Sequence, residues 1–187
     1  MRRRLAIALF IVGWLVCSGQ AAAAETIGSW RVGVANWTAE HALFLRLDAA
    51  HFAACGRHLR SSATLIPVAR WRAEQMGLGG WLGHVIPPRG VHIDYYLRRD
   101  GIRFGPWGEI AQRSGYSPAL AASVAYTSFR HSPEHWAVVT NCAYTEVGVG
   151  AYRAAPVLRI GGMAGDIRND HALYSTMEVF DVVYLRP

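Results

Sequence analysis

The chain contains no lysine; its nineteen strongly basic side chains are all arginine. It has only three cysteines, no internal repeat and no low-complexity tract. It also has no apolar run of the ~20 residues that a membrane-crossing helix needs. Each absence narrows the possibilities. Beyond the first residues the arginines are scattered, with Arg98-Arg99 the densest pair, and no basic stripe could track a phosphate backbone. Nucleic acid is therefore not an expected partner. No Gly-x-Ser-x-Gly elbow is present, and Gly115-Tyr-Ser117-Pro118 reads as a helix cap instead. The tight His-Glu-x-x-His spacing of one zinc-hydrolase class is missing too.

What is present begins with an export signal. Arg2, Arg3 and Arg4 form a positive start, Leu5 to Val16 an apolar core, and Ala22-Ala-Ala24 a small-residue cleavage site before Glu25. Twelve apolar residues fall short of a membrane span. Cys17 ends the run, but bulky Trp14 and Val16 suit a lipidation site poorly. The reading is residues 1–24 as signal peptide and 25–187 as one domain, large enough for a sizeable core. Without the three leader arginines, sixteen arginines face thirteen acids, a net charge of +3.

Two cysteines then remain, Cys55 and Cys142. In an oxidising compartment such a pair is expected to join. The bridge would close a loop of about 88 residues and contribute roughly 4–5 kcal/mol on the chain-entropy model. A free nucleophilic thiol is the alternative, and it lacks an evident base.

Hydrophobic spacing predicts a helix from Thr38 to about Ala54 and a second one ending at Gly77-Gly80. Pro67 places the regular part of that second helix after about Thr64. A third covers Val91 to Asp100, closed by Gly101. Ser117-Pro118 and Ser132-Pro133 each open a further helix, with proline in the first turn. Phe104 to Ile110 is extended and carries Glu109. Tyr144 to Arg153, Val157 to Ile160 and Tyr174 to Leu185 read as strands, and 161–169 as a loop. Glu25 to Trp37 is a lead-in, read as an added strand. Helices first and strands last predict an α+β fold with an antiparallel sheet.

The most informative stretch is Ser132-Pro-Glu-His135 followed by Tyr144-Thr-Glu-Val-Gly-Val-Gly150. Gly148 and Gly150 leave one face of that strand nearly bare. Glycine weakens a strand unless another element must come close, so a close neighbour is expected there. Upstream, Trp81-Leu-Gly-His84 and Gly108-Glu109-Ile110 end elements in the same polar fashion. His84, Glu109 and His135, each at an element boundary, are predicted to share one cleft, with Glu146 nearby.

These four segments, in this order across about residues 62–181, resemble the CAP superfamily of SCP-like secreted domains, in particular its short bacterial branch. The resemblance implies a CAP-type α/β/α sandwich around a small central antiparallel sheet. It also implies a cleft able to hold a divalent cation such as zinc. Of the His-Glu-Glu-His tetrad in the eukaryotic branch, His84, Glu109 and His135 match three members; Ser132 falls where the second Glu is expected. Ile110 stands where the family usually has Asn, and Trp136 where the bacterial branch often has Arg.

The chemistry leaves two readings open. Neutral imidazole and carboxylate suit zinc, with His84 and His135 as ligands and a position free for water. Alternatively Glu109 accepts hydrogen bonds from both imidazoles, holding the sheet edge to two helices, and the cluster is a structural knot. Glu146 either faces the cleft or pairs with an arginine. His41, His51 and His58 read as surface or boundary residues. The function expected is a secreted, monomeric, non-enzymatic module binding an envelope or extracellular partner. The alternatives are a metal-dependent hydrolase with Glu109 as base and a lipid or sterol carrier.

Overall fold

A computed structural model describes residues 26–27, 30–31, 36–114, 118–154 and 177–187. The leader, and the expected strand and loop between 157 and 169, lie outside the described residues. In chain order the elements are β1 (Thr26–Ile27), β2 (Trp30–Arg31), α1 (Trp37–Cys55), β3 (Arg60–Ser61), α2 (Leu65–Gly79) and α3 (Ile93–Arg99). They continue with β4 (Trp107–Ser114), α4 (Pro118–His131), α5 (Pro133–Val139), β5 (Glu146–Ala154) and β6 (Met177–Leu185). Two of the two-residue strands, β1 and β2, pair as a hairpin at the start of the described chain.

The main sheet has the order β3-β5-β6-β4. β6 is the central strand and pairs antiparallel with both β4 and β5. The expectation of a purely antiparallel sheet needs one correction. β3 pairs with β5 in parallel, Arg60 opposite Glu146 and Ser61 opposite Val147. Two residues carry no period, so patterning offered no sign of this strand.

Alternation along the strands separates the two faces. Ile110, Val147, Val149, Ala151, Phe180, Val182 and Tyr184 pack with Leu43, Leu47, Ala121, Ala125 and Phe129, forming the layer of α1, α4 and α5. Val183 and Leu185 face the other way and pack with Leu65, Val68, Ala69, Ile93 and Leu97 of α2 and α3. Helices on both faces of the sheet make the α/β/α sandwich. The bare face of β5 explains why α2 sits so close. A Cβ at Gly148 would run into Leu65, and one at Gly150 into the backbone of Ala69 and Arg70.

Local chemistry sets the helix ends. α1 starts at Asn36 rather than at Thr38, because the Asn36 side chain accepts from the Ala39 N–H at 3.4 Å. It stops at Gly56, which takes the left-handed conformation (φ 67°) and donates to Phe52 O. α2 begins at Leu65, where the Pro67 argument put it, with proline in the first turn. His51, expected at the boundary, is fully buried, and its Nδ1 lies 2.9 Å from Val139 O. Cys55 and Cys142 form the disulfide, with Cα atoms 5.4 Å apart, joining the end of α1 to the turn before β5. Among the described residues no helix is long and apolar enough to cross a membrane.

Candidate functional site

Three elements position the cluster. Glu109 lies on β4, at the edge of the sheet, two residues from the strand's start and opposite Val183. It points to the α2 side, where only 2% of its side-chain surface remains exposed. Arg72, in the middle of α2, meets it with no exposed side-chain surface at all. Arg72 Nε donates to Glu109 Oε1 at 2.8 Å. Arg72 Nη2 donates to the Gly83 carbonyl at 2.7 Å, so the same guanidinium fixes the turn that carries His84. His84 Nδ1 then lies 2.8 Å from Glu109 Oε2. Both carboxylate oxygens are thus engaged, one by arginine and one by histidine.

His135 comes from the other layer. It sits in the first turn of α5 and its ring meets Phe129 edge-on at 5.4 Å. β4 is an edge strand, so side chains from both layers can approach around it. His84 is near enough to act on His135 electrostatically. Burial, followed by the charge of His84, lowers the His135 pKa below the usual imidazole value, with Glu134 opposing. Gly108 makes room on this side: an added Cβ would lie 2.8 Å from Tyr144 Oη and 2.9 Å from Val138 Cγ1. The Tyr144 hydroxyl donates to the Trp107 carbonyl and steadies the start of β4.

The electrostatics favour an ionised Glu109. Burial alone would raise its pKa, but the hydrogen bond with His84 and the charge of Arg72 outweigh that and hold it below the ordinary carboxylate value. Next to it lies Asp181 of β6, opposite Ala111 and on the same face of the sheet. Asp181 is fully buried, and its carboxyl lies within side-chain hydrogen-bonding reach of Glu109. Burial and the charge of Glu109 push its pKa well above the ordinary value, against the pull of Arg72.

Sequence reasoning singled out His84, Glu109 and His135; the structure joins His84 to Glu109 at the β4 edge and leaves His135 within electrostatic reach of His84. Glu146 is elsewhere. It forms an ion pair with Arg60 of β3, across β6 from Glu109 and roughly 10 Å away by strand spacing. Arg72 and Asp181 were missed. Arg72 looks like an ordinary polar position in a helix, and Asp181 like a break in an apolar strand. Only the mismatch of a lone Asp in Val-Phe-Asp-Val-Val hinted at a buried role.

A divalent cation does not fit this donor set. The Glu109 oxygens are already taken, and the charge beside them is a buried guanidinium. Among the described residues no three His, Cys, Asp or Glu side chains form a group that could hold an ion.

A separate cavity of about 190 Å³ opens at the opposite edge of the sheet. Trp37, Glu40 and Phe44 of α1, Ile66 and Arg70 of α2, and Val149 of β5 line it. At its floor Arg70 Nη2 donates to Glu40 Oε2 at 2.8 Å, and Glu40 Oε1 accepts from the Ala151 N–H at 3.1 Å. That ion pair covers an open strand edge, a usual protection against unwanted pairing.

No protein-family profile and no curated protein matches the sequence. Two solved structures are similar in fold. An outer surface protein of Borrelia burgdorferi shares 17% identity over 82% of this chain and 96% of its own, with a TM-score of 0.59. An extracellular protein of Bacillus anthracis containing an SCP domain shares 16% identity over 79% of this chain, with a TM-score of 0.54. The match spans 41% of that longer protein. At such identities the likeness is one of fold, and it is consistent with an SCP-like α/β/α sandwich.

Proposed function

We propose that this chain is an exported SCP-like domain that acts by binding a partner and not by turning over a substrate. Its leader would be cut near Ala24, leaving residues 25–187 in the envelope or outside the cell. The extracellular and outer-surface settings of its two structural neighbours support that address. The observation that carries the binding reading is the state of Glu109. A general base needs a free oxygen and a pKa near the working pH. Glu109 has its oxygens bonded to Arg72 and His84 and a lowered pKa. It is built to hold a shape. His84, with 42% of its side chain exposed, and the partly buried His135 are the groups left to face a partner.

The direct test is turnover. The purified protein is incubated with casein and with a panel of nitrophenyl esters, beside a Glu109→Gln variant. No turnover above the variant's level is expected. Steady hydrolysis that disappears in Glu109→Gln would make the domain a hydrolase and sink the reading.

A further inference from the structure

We infer that Arg72 supplies, from inside the protein, the positive charge that a bound cation would otherwise bring to Glu109 and His84, so that the cluster is closed to metal by its own sequence. A metal centre gathers ligands from separate elements and fixes their orientation. Arg72 does both. Its guanidinium bonds the β4 carboxylate and the Gly83 carbonyl, and so joins α2, the sheet edge and the turn preceding His84. The Trp81 ring packs against it, with Cζ 5.2 Å from the ring centre. Asp181 lies beyond Glu109 on the same face, fully buried. Two acids and one guanidinium therefore share a dry site with an imidazole at its mouth. A dication placed there would sit against a buried like charge that cannot leave, since arginine does not deprotonate in proteins.

The arrangement also predicts what lies beneath. Replacing Arg72 by an uncharged side chain of similar length frees the Glu109 oxygen it held and leaves Glu109 and His84 in contact as a pair of donors. Carboxylate oxygen and imidazole nitrogen are the donors that zinc accepts. The inference concerns the same residues as the proposed function but fails separately: turnover would overturn that reading, whereas zinc binding by the native protein would overturn this one.

The test is a calorimetric zinc titration of chelator-treated protein, with melting followed in zinc and in EDTA. The native protein is expected to bind no zinc at about 100 µM and to melt at one temperature in both. Arg72→Met is expected to bind zinc at least about tenfold more tightly than the native protein and to melt higher in zinc. His84→Ala added to Arg72→Met should remove that gain. Arg72→Lys keeps the charge and should remain indifferent to zinc. One-to-one zinc binding by the native protein, lost in a His84→Ala, His135→Ala double variant, would overturn the inference. So would zinc binding by Arg72→Lys as tight as by Arg72→Met. Should Arg72→Met not fold, the native titration and whether Arg72→Lys takes up zinc still decide.

Discussion

Asp181 shows how much one side chain can govern at the residue scale. A carboxyl with no exposed surface, set beside the Glu109 carboxylate, is disfavoured in its charged form. Its folded-state pKa is raised, so its contribution to stability is full below the ordinary carboxylate range and is lost as pH rises through the folded value. Glu109 and His135 have lowered pKa values, and their contributions run the other way, fading as pH falls. Asp181→Asn keeps the shape and removes the ionisation. Thermal unfolding should show it more stable than the native protein by a margin that grows from about pH 4 to about pH 7. A margin that shrinks over that range would mean that Asp181 is ionised and paired.

Among the elements, the β5–α2 contact is the tightest feature and the one most clearly written in the sequence. Gly148 and Gly150 announced a close neighbour, and α2 is that neighbour. Gly150→Ala should cost about 3 kcal/mol in denaturant unfolding, since the added methyl meets backbone that cannot step aside. A loss under about 0.5 kcal/mol would show that α2 can shift. The same logic explains what could be read and what could not. Glycines, Ser-Pro caps and alternation are local signals, and they located α2, α5, β4, β5 and β6. The parallel strand β3 is two residues long and has no local signal. The cap at Asn36 was overlooked because Thr38, two residues on, is also a capping type. His51 was misplaced because its helix is apolar on nearly every side, with Trp37, Leu45 and Phe52 exposed. The Arg72 partnership was invisible because its carboxylate lies 37 residues away.

At the scale of the whole molecule, polar and covalent cross-ties on both faces help hold the helix layers to the sheet. The Cys55–Cys142 bridge secures α1 to the turn before β5. On the other face, the Arg72–Glu109 pair fastens α2 to the outermost strand and, through Gly83 and His84, to the turn that borders the site. A molecule whose polar cluster serves as such a tie has little freedom to rearrange it for chemistry. That rigidity is the ground for the binding reading proposed above.

The most direct measurement of this claim is a double-mutant cycle on unfolding free energy with Arg72→Met, Glu109→Gln and both together. Each single change breaks a buried pair and should cost about 3–5 kcal/mol. The double variant should cost well under the sum, a coupling of about 2 kcal/mol or more. Additivity within about 0.5 kcal/mol would mean that the two side chains do not depend on each other, and the account of a guanidinium-locked site would be wrong.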